Sequence, residues 1–160
     1  MRGLLIALIA LAGAVHADEV LTVNLDSTTL TGLPGQVLAF TGTLTNNTDS
    51  TVYLNNDSAS FALPLDGAPF LNNAPFTLDP LATSFDFEMF DVTIPHGQAP
   101  GMYNGTFFVQ GGADSNALAE VGAATFSVNV GTPEPASYLL CGAAIVLLLR
   151  RRSLLPGRRS

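Results

Sequence analysis

The sequence has no lysine and no tryptophan, and its six arginines lie only at the two ends of the chain. Arg2 stands near the start and the other five come from Arg150 onward, whereas residues 18–132 hold twelve carboxylates and no Lys or Arg. Such an acidic surface repels phosphate backbones and anionic lipid headgroups. The missing cations therefore argue against nucleic acid as a partner of this central region.

Cysteine is almost absent as well. The single cysteine, Cys141, lies inside an apolar run near the C-terminus. The central region therefore has no disulfide and must be held together by its core. Its roughly 115 residues are enough for one modest core. Once the two terminal segments are set aside, the length predicts one domain over residues 18–131.

The first 17 residues are typical of a secretory signal peptide. Arg2 precedes the twelve-residue apolar run "LLIALIALAGAV". This run is too short to span a membrane. Val15 and Ala17 stand at the −3 and −1 positions, where signal peptidase requires small side chains, so we expect cleavage after Ala17. The sequence therefore predicts export, with a mature chain that begins at Asp18.

Apolar and polar residues alternate with period two through most of the central region, and Gly, Pro, Asn and Asp collect between the alternating runs. This pattern predicts an all-β domain without a helix of normal length. In the run from 85 to 94 the apolar parity shifts by one residue, which predicts a β-bulge near Met89 and Phe90. We expect about seven strands, near 20–25, 36–45, 51–55, 59–63 or 74–78, 85–94, 102–110 and 120–130.

A tyrosine that follows a Pro-Gly turn indicates the type of β fold. In "APGMYNGTFFVQGG" the residues Tyr103, Gly105, Phe107 and Val109 alternate. Immunoglobulin-like sandwiches carry a tyrosine at the start of strand F whose hydroxyl bonds to the backbone upstream, and a cysteine follows two residues later. Here Gly105 stands at the position of that cysteine. We therefore predict a seven-stranded immunoglobulin-like β-sandwich with Tyr103 in the tyrosine corner.

Residues 64–84 are the least regular part of the central region. They contain four prolines and no sustained alternation. Long irregular loops on a sandwich often carry its binding function. Two interpretations stay open: a contact surface, or a solvated crossover between the sheets that carries an edge strand.

Catalytic chemistry has little support in the central region. His96, in the turn "PHGQAPG", is its only histidine, and no nucleophile elbow accompanies it. Asp86 and Glu88 fall on one face of a predicted strand, about 7 Å apart, and could form a glycosidase pair. With twelve carboxylates present, however, some such pair is expected in any case. We predict that the protein is not an enzyme and that His96 is a turn residue.

Calcium is another possible use of the acidic residues. Asp49, Asn55, Asn56 and Asp57 offer hard oxygen donors around one turn. They do not follow the D-x-[DN]-x-[DN]-G pattern of a calcium loop. A calcium site and an ordinary solvated acidic face are the two alternatives.

Three short motifs match the acceptor pattern for N-glycosylation, N-x-[ST]. They begin at Asn46, Asn56 and Asn104. The composition alone makes such matches expected, so glycosylation at these residues stays open.

The C-terminal segment combines an apolar run with a block of arginines. Residues 136–149 carry no charge. As a helix they would be about 21 Å long, against ~30 Å for the hydrocarbon core of a bilayer. Arg150, Arg151 and Arg152 would lie at the cytoplasmic end. We predict a short transmembrane helix at about 136–149, followed by a cytoplasmic basic tail at 153–160.

The stretch Pro133-Glu134-Pro135, the apolar run and the cluster Arg150 to Arg152 together resemble the PEP-CTERM protein-sorting domain. The resemblance covers residues 132–152 and is accompanied by the N-terminal signal peptide. Thr132 replaces the valine often found before the motif, and "SLLPGRRS" extends the chain beyond the usual arginine end. The central domain also looks like the immunoglobulin-like ectodomains that such proteins carry.

This resemblance implies an exported protein of a Gram-negative bacterium. The inner membrane would hold it through the C-terminal helix, with the domain in the periplasm. An exosortase, a membrane protease with a cysteine nucleophile, would recognise Pro133-Glu134-Pro135 and release the domain to the cell surface or the extracellular matrix. Such proteins are often linked to exopolysaccharide and biofilm.

We therefore expect a non-catalytic structural or adhesive domain, with exopolysaccharide or other matrix proteins as partners. The alternatives are a carbohydrate- or calcium-binding module and, third, a small hydrolase.

Overall fold

In the computed structural model, which describes residues 19–132, the alternating segments form nine strands and one short helix. The elements are β1 (Leu21–Leu25), β2 (Thr29–Gly32), β3 (Val37–Asn46), β4 (Val52–Ser60), β5 (Leu65–Asp66), α1 (Ala68–Asn73), β6 (Thr77–Leu78), β7 (Phe87–Thr93), β8 (Gly101–Gly112) and β9 (Ala119–Val130). A four-stranded sheet has the order β1-β3-β7-β5, and a five-stranded sheet has the order β2-β9-β8-β4-β6. The sheets bury a common core, so this region is a β-sandwich.

The predicted number of seven strands was wrong for this region. Two short strands account for the difference: β2, which pairs parallel with β9, and the two-residue strand β5, whereas β6 lies within the alternative range 74–78. Two residues cannot show an alternating pattern, so β5 was not predicted at all. The range 59–63 is not a separate strand, because β4 continues to Ser60, and β7 begins at Phe87 rather than at residue 85.

The predicted β-bulge in β7 is confirmed. Phe40 of β3 pairs with Phe90 and the next residue, Thr41, pairs with Glu88, which leaves Met89 as the extra residue. Met89 and Phe90 are both fully buried. Because the bulge reverses the alternation, Glu88 and Asp91 both point to the outer side of the four-stranded sheet.

The core is dominated by phenylalanine rings from both sheets. Phe90 of β7 stacks on Phe40 at 4.7 Å between ring centroids and on Phe107 of β8 at 4.5 Å, and Phe126 of β9 packs against it at 4.8 Å. Aromatic pairs of this kind contribute about 0.5–1.5 kcal/mol each beyond their buried area. The ring cluster therefore joins the two sheets without any disulfide.

Gly105 lets two rings, one of them Phe126, pack against the backbone of β8. A Cβ atom at this position would lie 2.5 Å from Phe61 and 2.8 Å from Phe126. Phe61 and Phe126 are themselves 4.7 Å apart. Aromatic rings thus fill the space where the expected fold type would place a cysteine.

The helix α1 lies within the segment that the sequence left as irregular. It has six residues, with a proline in its first turn, where the missing N–H costs no hydrogen bond. Its Phe70 is buried against Phe87 and Phe107 at 6.1 and 5.9 Å between centroids. The helix therefore closes one side of the sandwich. Within residues 19–132, no helix has the length and apolar character needed to cross a membrane.

Candidate functional site

The outer side of the five-stranded sheet carries mainly hydroxyl and amide side chains. Register pairs along the strands place Asn104 opposite Ser127 and Thr106 opposite Thr125, with Ser60 of β4 on the other side of Thr106. All of these point away from the core, because Gly105 and Phe126 between them point inward. Among the paired residues of β8 and β9 that point outward, one has a carboxylate. It is Glu120, which pairs with Gln110 at the end of the two strands away from Asn104.

A groove of about 490 Å³ lies on this outer side, and we call it the polar groove. Its side chains come from four different strands or their ends, among them Thr29, Ser60, Asn104, Thr106, Thr125 and Ser127. None of its lining residues is titratable. The volume lies within the usual range of small-molecule sites, but the lining is much more polar than is common there.

Hydrogen bonds hold one wall of the polar groove. The Ser127 hydroxyl donates to Oδ1 of Asn104 at 2.8 Å, and the Ser127 backbone N–H donates to the carbonyl of Thr28 at 2.8 Å. Within residues 19–132, no group accepts a hydrogen bond from the Asn104 NH₂ group. The groove therefore offers preordered donors and acceptors on a rigid sheet.

The outer side of the four-stranded sheet is acidic instead. Glu88 and Asp91 lie there side by side, and a hydrogen bond to Asp91, together with the charge of that carboxylate, raises the pKa of Glu88. The bulge at Met89 places these two together, so the structure pairs Glu88 with Asp91 rather than with the predicted Asp86. The pair lies on the open surface of a sheet.

The side chains of the four residues considered for calcium contact different neighbours. Asn55 donates to the backbone carbonyls of Asp114 and Ala117 at 2.9 and 2.8 Å and so holds the β8–β9 turn. Asn56 donates to Gln110 at 2.9 Å. Asp49 accepts from the Ser50 hydroxyl at 3.2 Å in the turn before β4. In the described part of the chain, no group of three or more His, Cys, Asp or Glu is arranged to share a metal ion.

Asp57, the fourth of these residues, lies half-buried on the inner side of β4. Its carboxylate oxygens occupy the space next to Gly67, where a Cβ atom would lie 2.0 Å away. Burial raises the pKa of the Asp57 carboxyl, and the nearby Asp66 carboxylate raises it further. The side chain therefore faces the junction of β5 and α1 and not the turn at residue 49.

Asn46, one of the three glycosylation motifs, is a structural residue that the sequence did not reveal as such. It is fully buried. Its NH₂ group lies 2.8, 3.1 and 3.0 Å from the carbonyls of Ser50, Leu78 and Asp79, and its Oδ1 accepts from the backbone and hydroxyl of Thr48. In the folded domain the Asn46 amide is thus fully engaged, whereas Asn104 is exposed in the polar groove.

Tyr103 and His96 both lie at the corner before β8. The Tyr103 hydroxyl donates to the carbonyl of Ala99, four residues upstream, at 2.9 Å and accepts from Gln98 at 2.6 Å. The His96 ring packs against Gly35, which has a positive φ of 92°. The His96 ring thus packs the turn that contains His96 against the turn that contains Gly35.

The segment 64–84 forms one wall of a cavity of about 270 Å³. Leu71 and Phe76 line it and are 59% and 65% exposed, and Phe76 packs edge-on against Tyr53 at 5.7 Å. This segment contains β5, α1 and β6, so it is more regular than its sequence indicated.

The remaining predicted site residues lie outside residues 19–132. They are Ala17 of the predicted signal peptide, the stretch Pro133-Glu134-Pro135, the predicted helix at about 136–149 and the cluster Arg150, Arg151 and Arg152.

No family model matches this chain, and no curated protein does. Among solved structures it is similar to WR4, an MSP family member of C. elegans, at 13% identity and a TM-score of 0.38, over 68% of this chain and 97% of that one. A second similarity is to the secreted serine protease VesC of Vibrio cholerae, at 16% identity and a TM-score of 0.45, over 74% of this chain but only 26% of the protease. A third is to a chain of a type I cohesin–dockerin complex of Clostridium thermocellum, at 12% identity and a TM-score of 0.37, over 69% of this chain and 99% of that one. At such values neither activity nor partners carry over.

Proposed function

We propose that this chain is an exported protein that an exosortase sorts to the cell surface or the extracellular matrix, where its β-sandwich has a structural or adhesive and not a catalytic role. The sorting half is supported by sequence alone: the signal peptide ending at Ala17, the stretch Pro133-Glu134-Pro135, the apolar run and the arginine cluster. Signal peptidase, the exosortase and the inner membrane are then its processing partners.

The order of the strands supports an immunoglobulin-like sandwich. Immunoglobulin domains place strands A, B, E and D in one sheet and strands G, F and C in the other. The orders β1-β3-β7-β5 and β9-β8-β4 match these two sheets, with β2 and β6 added at the edges of the second. The hydrogen bond from Tyr103 to Ala99 supports the same type.

The observation that supports an adhesive role is the polar groove. Its hydrogen-bonding groups stand on paired strands, so little ordering is needed when a partner binds. Its lining presents donors and acceptors without a titratable side chain. Such a surface suits recognition rather than proton transfer.

The sorting half is tested by replacing Glu134 with Gln in the host bacterium and following the chain in membrane and surface fractions. We expect the Glu134→Gln chain to stay in the inner membrane, while Glu120→Gln, a matched carboxylate change on the sandwich, reaches the surface normally. Mass spectrometry of the surface form should yield a C-terminal peptide that ends near Pro133 to Pro135. A Glu134→Gln chain that reaches the surface like the unmodified one contradicts the sorting proposal.

A second candidate function is carbohydrate binding, because the groove is lined by hydroxyl and amide groups that suit sugar hydroxyls. A calcium-binding role would have to use carboxylates elsewhere on the domain, and calorimetry with calcium tests it directly. A hydrolase role would require that hydrolysis of matrix glycans be lost on replacement of Glu88 or Asp91.

A further inference from the structure

We infer that the polar groove binds a neutral polysaccharide chain and discriminates against anionic ones. The inference rests on the proposed function, in which the domain acts in a polysaccharide matrix, and it assigns both the contact surface and the chemical class of the partner. The groove lies on β2, β4, β8 and β9, which is a different part of the domain from the segment 64–84.

The charge distribution selects a neutral partner. Residues 19–132 contain eleven carboxylates and no Lys or Arg, so the field around the domain is negative throughout. A uronate or sulfate group would meet this field with no Lys or Arg of residues 19–132 to pair with. A neutral sugar chain pays no such cost, and the groove itself adds no charge, since none of its lining residues is titratable.

The hydrogen-bonding groups of the groove match sugar hydroxyls. Each serine or threonine hydroxyl can donate one hydrogen bond and accept two, as a sugar hydroxyl does. Thr106 and Thr125 stand directly opposite each other in the middle of the groove. Beside them is the side-chain amide of Asn104. Its oxygen accepts a hydrogen bond from Ser127, which fixes the direction in which its NH₂ group can donate.

Apolar side chains continue the outward row of β8 at both ends. Met102 precedes Asn104 and Phe108 follows Thr106, each about 7 Å from its neighbour in the row. Met102 is 62% exposed and Phe108 is half-buried on the same outer side. Sugar rings carry C–H groups on their faces, which pack against apolar and aromatic side chains. This row, with two polar positions between two apolar ones, therefore suits a chain of several sugar units rather than one.

The test is isothermal titration of the full-length chain, purified in detergent, with cellohexaose, laminarihexaose and mannohexaose as neutral probes and an alginate hexamer as the anionic probe. EDTA is present so that calcium cannot bridge carboxylates. We expect at least one neutral hexasaccharide to bind and the alginate hexamer not to bind.

Two matched double variants locate the site. Thr106→Ala with Thr125→Ala removes two groove hydroxyls and should weaken binding about tenfold or more. Thr43→Ala with Thr93→Ala makes the same change at outward positions of the four-stranded sheet and should leave binding within about twofold. Circular dichroism checks that both variants are folded, and Thr125→Asp, which places a carboxylate in the groove, should also weaken binding.

The inference is overturned if no neutral hexasaccharide binds or if the two double variants weaken binding equally. It is also overturned if the alginate hexamer binds as tightly as the neutral probes and the Thr106→Ala, Thr125→Ala variant weakens that binding, which places the alginate in the groove and not at the C-terminal arginines. A chain that is sorted normally but binds no neutral probe overturns only this inference. A chain that binds through the groove but does not depend on Glu134 for its surface location overturns only the proposed sorting.

Discussion

The buried amide of Asn46 makes the most demanding test of how the fold is held together. Asn46 ends β3, and its side chain bonds to the following turn, through Thr48 and Ser50, and to the end of β6, through Leu78 and Asp79. The residue therefore joins the two sheets at one end of the sandwich. Replacing it with alanine removes all of these bonds at once.

The loss in the free energy of unfolding depends on which of the groups that bond to Asn46 stay buried in the variant. The bond to the Leu78 carbonyl is fully buried, and those to Ser50, Asp79 and Thr48 are partly buried. A buried group left without a partner costs about 1–3 kcal/mol, whereas partly exposed groups recover water. We expect Asn46→Ala to lower the free energy of unfolding by about 2–4 kcal/mol, out of a total of about 5–15 kcal/mol for a domain. This corresponds to a fall in Tm of roughly 8–20 °C.

Thermal unfolding followed by circular dichroism measures this effect, with Asn47→Ala as the control. The Asn47 amide also makes two hydrogen bonds, to the Glu19 carbonyl and the Thr22 hydroxyl at 2.9 Å each, but both are exposed. That variant should lose only about 0.5–1 kcal/mol. Asn46→Asp should be more damaging than Asn46→Ala, because it turns a carboxylate towards three carbonyl oxygens. If Asn46→Ala and Asn47→Ala melt within about 3 °C of each other, the reasoning from burial is wrong.

Two further predictions concern Asp57 and Tyr103. Because the fold raises the pKa of Asp57, through burial and then the charge of Asp66, ionisation of Asp57 opposes folding above its ordinary pKa. Asp57→Asn should therefore raise Tm at pH 7 by roughly 1–4 °C. Below about pH 4 the variant and the unmodified chain should melt at the same temperature, because Asp57 is then neutral in both the folded and the unfolded state. A difference in Tm that persists at low pH would show that ionisation of Asp57 is not its cause. Tyr103→Phe removes the hydrogen bond from the hydroxyl to Ala99 and should lower the free energy of unfolding, measured in urea, by about 1 kcal/mol. The control Tyr53→Phe should have a negligible effect. If both variants lower the free energy of unfolding equally, the hydrogen bond of Tyr103 does not stabilise the fold.

The functional proposals depend on different parts of the molecule. The sorting proposal rests on sequence near the C-terminus and can fail without any consequence for the fold. The proposed glycan contact rests on the paired strands β2, β4, β8 and β9, and on the absence of titratable side chains in the polar groove. Each of the two proposals has its own experiment.

Short helices and short strands were the features of the fold that the sequence could not predict. The six residues of α1 complete fewer than two turns, so a helical period cannot be recognised in them. Likewise β5, at two residues, exists only because β7 offers it a partner. In each case a tertiary contact stabilises a segment whose local pattern is indistinct.

The sequence by itself determined the all-β character of the domain and the bulge at Met89. It did so because side chains alternate across a strand and only a bulge can reconcile the shifted parity with a buried face. Tertiary structure alone decided the polar groove and the role of Asn46. Ser60, Asn104 and Thr125 are ordinary polar residues far apart in the chain, and only strand register places them on one surface. In the sequence Asn46 is only the first residue of an N-x-[ST] match, and partners more than thirty residues away make it a buried structural amide.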